Sequence, residues 1–240
     1  GLAFDVAVHF GTLIAVLAYF RKDLLAMLWA VGQAPAVYAA RAGQASHNPE
    51  TQRAALGIEQ VLKLALATLP VVIIGVLGKD FIQGQLRTVP VIATTTMLFG
   101  AALWYADRRP TSNSAITWQA AGLIGLAQAI ALIPGTSRSG ITITAALLLG
   151  LSRVEAARFS FLLAIPTIAG AQLLLSLDLA EGGVETDLAK VAAGAALAGV
   201  SAYLGIHYFI QLVERTGMLP YVVYRMVLGL VLFGLVYAGI

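Results

Sequence analysis

The chain has 240 residues, of which 59% are hydrophobic and only 11% are charged, whereas a soluble domain carries about 25% charged residues. It has no Cys, which excludes a disulfide framework and a thiolate metal site. The net charge of +3 comes from basic residues that lie singly or in pairs at the ends of apolar runs. This placement is typical of membrane-flanking charge and argues against nucleic-acid binding.

Apolar runs near the ~20 residues that a helix needs to cross the hydrocarbon core predict an all-α polytopic membrane protein with about six transmembrane helices. Abundant Gly and Ala within the runs favour close helix packing in lipid. In chain order, the predicted spans are Phe4 to Phe20 (with an extension to Trp29 left open), Val61 to Leu77, Val89 to Ala106, Phe159 to Leu177, Leu188 to Leu212, and Tyr221 to Ile240.

A different pattern lies between the third and fourth spans. An apolar segment from Trp118 to Ile133 precedes a polar loop, and the apolar segment after it, Ile141 to Leu151, is too short to span. This order predicts a re-entrant helix-loop-helix hairpin, which is tolerated at membrane depth when it is buried in protein or lines a wet cavity. If the hairpin does not cross, most of the arginines fall on the side opposite an acidic loop, and the positive-inside rule places that basic side in the cytoplasm.

The segment from Phe4 to Ala15 resembles the segment from Phe159 to Gly170, and each is followed by two more spans. We therefore predict one membrane domain over 1–240 with inverted-repeat architecture. Residues 1–110 form the first repeat, and residues 116–240 form the second, with the re-entrant loop at 134–142. By the same logic, we expect a first hairpin before Phe4, outside this sequence, and half of the site with it.

The loop Pro134-Gly135-Thr136-Ser137-Arg138-Ser139-Gly140-Ile141-Thr142 carries the chemistry. A helix-breaking Pro-Gly is followed by hydroxyl groups, a guanidinium and a helix start. Backbone N–H groups at a helix N-terminus bind anions, and an Arg fork suits phosphate oxygens. The predicted phosphate-binding residues are Gly135, Thr136, Ser137, Arg138, Ser139 and Gly140.

This run matches the Pro-Gly-x-Ser-Arg-Ser-x-x-Thr signature of the undecaprenyl-diphosphate phosphatases, also called bacitracin-resistance proteins. The resemblance extends through Gln128 to Ile133, Gly150 to Pro166, the first span and Pro220 to Arg225. It implies an integral membrane enzyme that hydrolyses undecaprenyl diphosphate, recycles the lipid carrier for cell-wall synthesis and confers bacitracin resistance. It also implies multi-pass insertion in the bacterial cytoplasmic (inner) membrane, and it leaves a homodimer open.

By this resemblance, Arg138, Ser137 and Thr142 are the expected catalytic residues. A divalent cation, Mg²⁺ or Ca²⁺, is the expected cofactor, with its unknown ligands expected in the N-terminal segment outside this sequence. Three further residues are candidates for support of the site. Gln128 lies where the second repeat would carry a counterpart of the family's acidic motif, as a relic or a polar support, or is an ordinary hydrogen-bonding residue of a helix. Arg153 follows the loop in sequence, and Arg225 could reach a phosphate or snorkel to the interface. The alternative function is a transporter or flippase for a polyprenyl phosphate lipid, since inverted repeats with midplane hairpins are a transporter architecture.

Overall fold

The computed structural model describes residues 2–42, 48–112, 115–182 and 188–238. The described chain is built of α-helices, as the apolar runs predict. In chain order they are α1 Leu2–Tyr19, α2 Arg21–Gly32, α3 Ala34–Ala42, α4 Pro49–Leu77, α5 Lys79–Gln85, α6 Val89–Asp107, α7 Trp118–Ile130, α8 Arg138–Leu148, α9 Arg153–Gly182, α10 Leu188–Thr216 and α11 Leu219–Tyr237.

Five of these helices, α4, α6, α9, α10 and α11, are long and apolar enough to cross a membrane. They correspond to five of the six predicted spans. The first predicted span coincides with α1, whose described apolar part, Val6–Tyr19, is shorter than the others. The chain is therefore a multi-pass membrane protein, and the extension of the first span towards Trp29 is a separate helix, α2, which begins after Phe20.

The hairpin between the third and fourth predicted spans is present. Thr117 caps α7 by accepting a hydrogen bond from the Ala120 N–H at 3.1 Å. The chain then turns, and α8 runs for only 11 residues, about 16 Å at 1.5 Å per residue, which is too short to span. The turn therefore opens directly onto the N-terminus of α8.

Two compact units divide the chain. The first unit comprises Gly1–Ala65 and Ile168–Ile206, and the second comprises Leu66–Thr167 and His207–Ile240. This division groups residues by packing and does not test the inverted repeats at 1–110 and 116–240, which stay a prediction.

In the first unit, α1 packs closely against α10. A Cβ on Gly11 would collide with the Ala195 carbonyl oxygen, and a Cβ on Gly199 would lie 3.2 Å from the Gly11 oxygen. A second small core joins α2, α3 and α4 through Ala30, Val37 and Ala54. Small residues thus allow the close helix contacts expected in lipid.

In the second unit, α6 packs along α11, and α8 packs against both α6 and α7. The middle of α7 also meets α4 closely, because a Cβ on Gly125 would lie 2.6 Å from the Ala67 Cα. The polar loop between α7 and α8 therefore lies among packed helices, with α6 and α11 beside it.

Candidate functional site

The loop turns at Gly135, whose φ of +87° is a left-handed conformation that residues with a Cβ rarely adopt. A Cβ at this position would also collide with the Thr95 hydroxyl and the Ile92 carbonyl oxygen of α6. Both the backbone conformation and the space therefore require glycine at this position.

Helix α6 holds the loop through two neighbouring threonines. The Thr95 hydroxyl lies 2.6 Å from the Pro134 carbonyl oxygen, and the Thr96 hydroxyl donates to the Gly135 carbonyl oxygen at 3.2 Å. These bonds join residues 39 positions apart in sequence. They fix the carbonyl groups of the first two residues of the loop.

Arg225 of α11 holds the same turn from the other side. Its Nη2 donates to the Gly135 carbonyl oxygen at 2.9 Å, and its Nε donates to the Thr96 carbonyl oxygen at 3.2 Å. Its side chain is buried, with 4% of its surface exposed. Arg225 is therefore bonded to the loop backbone and does not snorkel to the interface, and its contact with a phosphate stays a prediction.

The N-terminus of α8 is arranged as an anion site. Ser137 is its N-cap: its side chain accepts from the Gly140 N–H at 3.3 Å, and its φ is +67°, a strained value for a residue with a Cβ. Within the part of the chain that the structure describes, the N–H groups of Arg138 and Ser139 have no acceptor. These first-turn groups, at the positive end of the helix dipole, are free to bind an anion.

The Arg138 guanidinium extends from this helix start towards α9. Its Nη1 donates to the Ser160 carbonyl oxygen at 2.9 Å, which leaves other N–H groups of the fork for a ligand. The Ser160 hydroxyl in turn lies 2.7 Å from the Thr142 hydroxyl. Thr142 and Ser160 are both fully buried, with 0% and 1% exposed, so they lie behind Arg138 and hold it in place.

The other predicted phosphate-binding residues lie in the same turn. Gly140 is buried, and a Cβ there would lie 3.5 Å from Nη1 of Arg225, so this guanidinium is a close neighbour of the loop. Thr136 is completely buried, and its hydroxyl has no hydrogen-bond partner among the described residues. Ser139 is partly exposed on the first turn of α8.

The two remaining support candidates differ in position. Gln128 is fully buried, and its Nε2 donates to the Ala67 carbonyl oxygen at 3.1 Å, while its Oε1 accepts from the Thr167 hydroxyl at 3.3 Å. It therefore joins α7 to α4 and α9 beneath the loop. Arg153 instead pairs with Asp107, with 2.6 Å between Nε and Oδ1, and it lies beyond the far end of α8.

No group of three His, Asp or Glu side chains is placed to hold a metal ion within the described ranges. The sequence resemblance implies Mg²⁺ or Ca²⁺ as a cofactor. That cofactor stays a prediction, tested by chelation below.

Comparison with known proteins agrees with the resemblance seen in the loop. The model of the family described as "Bacitracin resistance protein BacA" matches residues 1–231. This chain belongs to the BacA family. A curated relative from Alcanivorax borkumensis, named "Undecaprenyl-diphosphatase", is 52% identical over 235 residues, which cover 97% of this chain and 83% of the relative. A second curated relative with the same name, from Colwellia psychrerythraea, is 47% identical over 237 residues, covering 95% of this chain and 83% of the relative.

Sequence reasoning missed three residues that hold the BacA loop in this structure: Thr95, Thr96 and Ser160. Ser160 belongs to the stretch that resembles the family, but nothing in its spacing from the loop indicates a contact. Thr95 and Thr96 occur in a run of three threonines inside an apolar span. This polar run within an apolar span could have indicated a contact with another helix, since hydroxyl groups in membrane helices commonly bond to backbone or to neighbouring helices.

Proposed function

We propose that this chain is an integral membrane phosphatase that hydrolyses undecaprenyl diphosphate to undecaprenyl phosphate and inorganic phosphate. Two close relatives bear the name of this activity. The structural observation that carries the proposal is the N-terminus of α8, where free N–H groups and the Arg138 guanidinium occur together in a fixed loop. The product is the carrier lipid, whose recycling serves cell-wall synthesis and connects the activity with bacitracin resistance.

The chemistry suits these groups because phosphoryl transfer depends mainly on positioning and on neutralising charge. Water attacks the terminal phosphorus, the bond to the bridging oxygen breaks, and undecaprenyl phosphate leaves. The N–H groups of Arg138 and Ser139 bind oxygens of the terminal phosphate, and the Arg138 fork binds further oxygens of the diphosphate. The Ser137 hydroxyl accepts from Gly140 and retains its own hydrogen for a phosphate oxygen.

The residues behind the loop position these groups. Thr142 and Ser160 hold Arg138, and Arg225 together with Thr95 and Thr96 holds the carbonyl groups of Pro134 and Gly135. We therefore assign substrate contact to Arg138, Ser137 and Ser139, and a positioning role to the buried Thr142. Fixed donors stabilise the developing charge well because they need no reorganisation during the reaction.

The membrane setting follows from the same proposal. The prenyl tail stays in the bilayer against the exposed apolar helix surfaces, and the diphosphate enters the loop. We propose that the membrane is the bacterial cytoplasmic membrane, in agreement with the basic ends of the spans and the bacterial source of both relatives. A Mg²⁺ or Ca²⁺ requirement and a homodimer are further parts of the proposal, to be tested by chelation and by the mass of the protein in nanodiscs.

A product assay tests the proposal. Purified protein in detergent with Mg²⁺ is incubated with undecaprenyl diphosphate, and ³¹P NMR follows the two diphosphate signals. The proposal expects them to be replaced by one monoester signal and one inorganic phosphate signal in equal amounts. Saturable binding of the lipid without any phosphate release would refute the phosphatase and favour the carrier or flippase.

A further inference from the structure

A second polar site lies at the end of α6 that is remote from the loop. A cavity of about 450 Å³ is formed there by the end of α6, the start of α9, the end of α10 and the start of α11. Trp104 and Arg108 lie 9 and 13 residues after Thr95 in sequence, about 14 to 20 Å along the helix at 1.5 Å per residue. The cavity is therefore separate from the phosphate-binding loop.

One wall of the cavity is a preorganised ion pair. Arg153 donates through Nε to Oδ1 of Asp107 at 2.6 Å and through Nη2 to Oδ2 at 3.1 Å. The same carboxylate accepts from the Met218 N–H at 3.1 Å. Both carboxylate oxygens of Asp107 are thus bonded to neighbours, and Asp107 fixes Arg153 with Nη1 still unbonded within the described chain.

The second cation of the cavity is Arg108. Its guanidinium carbon lies 3.6 Å from the centre of the Trp104 ring, a stacked cation–π contact. Stacking uses the face of the guanidinium and leaves its edge N–H groups available, and within the described residues these groups have no acceptor. Two guanidinium groups and one paired carboxylate give the cavity a net positive charge, suited to a phosphate group.

Apart from Thr216, the rest of the lining is apolar. Leu219 and Trp104 are 53% and 40% exposed on two of the spans that border the cavity. Exposed apolar side chains on a span face lipid, and Trp is enriched where hydrocarbon meets head groups. A ligand that fits both parts carries a phosphate and an acyl chain.

We infer that this cavity binds the head group of an anionic phospholipid of the surrounding leaflet, with its phosphodiester on Arg108 and Arg153 and its acyl chains along Trp104 and Leu219. The basic ends of the spans place the cavity on the cytoplasmic side by the positive-inside rule. Basic pockets between helices on that side bind acidic head groups. The bound lipid joins the ends of α6 and α11, the two helices that hold the loop.

The test uses Trp104 as the reporter. The other two tryptophans, Trp29 and Trp118, are replaced by Phe, and the protein in neutral detergent is titrated with short-chain phosphatidylglycerol brominated on its acyl chains. Saturable quenching is expected, whereas phosphatidylcholine with the same chains should require a much higher concentration. Inorganic phosphate at equal concentration should not displace the lipid, because it lacks the apolar part.

The matched variants are Arg108→Gln and Arg109→Gln. Arg109 is the next residue, stacks on Tyr105 at 5.2 Å and is not part of this cavity. Arg108→Gln should raise the half-saturating lipid concentration about tenfold or more, as expected for loss of a charge-assisted contact, and Arg109→Gln should leave it unchanged. Arg108→Lys, which keeps the charge and loses the fork, should fall between them.

Folding is checked independently by phosphate release in detergent without added phospholipid, which all three variants should retain. Equal half-saturation for Arg108→Gln and Arg109→Gln would overturn the inference, as would equal binding of phosphatidylcholine. Displacement of the lipid by inorganic phosphate alone would show a free-ion site instead of a lipid site.

Discussion

The hydrogen bond between α6 and the loop gives a sharp prediction. Thr95→Val replaces the hydroxyl by a methyl group of similar size, so it removes the contact to the Pro134 carbonyl oxygen at 2.6 Å with little change in packing. Thr94→Val is the matched control, because the exposed Thr94 hydroxyl donates at 2.7 Å only to Pro90 within its own helix.

The expected free-energy cost follows from the Pro134 carbonyl group, which Thr95→Val leaves without its hydrogen-bond donor. Loss of one hydrogen bond costs about 1 kcal/mol, and a partly buried carbonyl left without a donor costs about 1–3 kcal/mol. We therefore expect Thr95→Val to weaken the correct loop geometry by about 1–2 kcal/mol, which corresponds to a factor of about 5–30. Thr96 and Arg225 still hold the neighbouring Gly135, so the fold should persist.

The assay is phosphate release from farnesyl diphosphate in detergent with Mg²⁺, with kcat/KM measured for both variants and the wild type. Thr95→Val should lower kcat/KM by that factor, and Thr94→Val should match the wild type. Thermal unfolding followed by circular dichroism shows whether the variants are folded. A wild-type kcat/KM for folded Thr95→Val would refute the claim that α6 positions the loop.

Three further outcomes are expected. Gly135→Ala should abolish phosphate release and lower the midpoint of thermal unfolding, because φ is +87° and α6 leaves no room for a Cβ. Gly122→Ala on α7, where nothing lies within 4 Å, should leave phosphate release unchanged and should not lower the midpoint, since Ala favours a helix over Gly. Equal behaviour of the two variants would contradict the close contact. Ser160→Ala keeps the backbone carbonyl that accepts from Arg138 and loses only the bond to Thr142. Its kcat/KM should therefore fall by about fivefold, as for a lost hydrogen bond of about 1 kcal/mol. Complete loss of activity would instead show that the Ser160 hydroxyl takes part in the reaction. Excess EDTA should stop phosphate release, and Mg²⁺ or Ca²⁺ should restore it. Unchanged phosphate release in EDTA would show that the reaction needs no divalent cation.

The long helices and the hairpin could be predicted because each depends on the hydropathy of one continuous stretch of sequence. Hydropathy located the five long helices, and the change from apolar to polar at Pro134 located the hairpin to within three residues at each helix end. Phe20, which separates α1 from α2, is itself apolar. Charged residues nevertheless follow it directly at positions 21–23, so the predicted first span ended within one residue of the end of α1.

The candidate site was predictable where its residues are contiguous. Ser137 to Gly140 form the helix start that the motif indicates, but the partners of the loop come from α6, α9 and α11, at sequence separations of 18 to 90 residues. Such contacts follow from packing and have no local signature. Arg153 shows the converse, since closeness in sequence did not predict closeness in space: the length of α8, about 16 Å, separates it from the loop.

The central claim is that Arg138 binds the substrate diphosphate of a phosphatase. The most direct test measures kcat/KM for phosphate release by the wild type, Arg138→Ala and Arg138→Lys, with Arg109→Ala as the control for loss of an arginine. Removal of one preorganised donor costs about 100- to 1000-fold, so we predict a loss of that size for Arg138→Ala, a smaller loss for Arg138→Lys and none for Arg109→Ala. Near-wild-type phosphate release by folded Arg138→Ala would contradict the account.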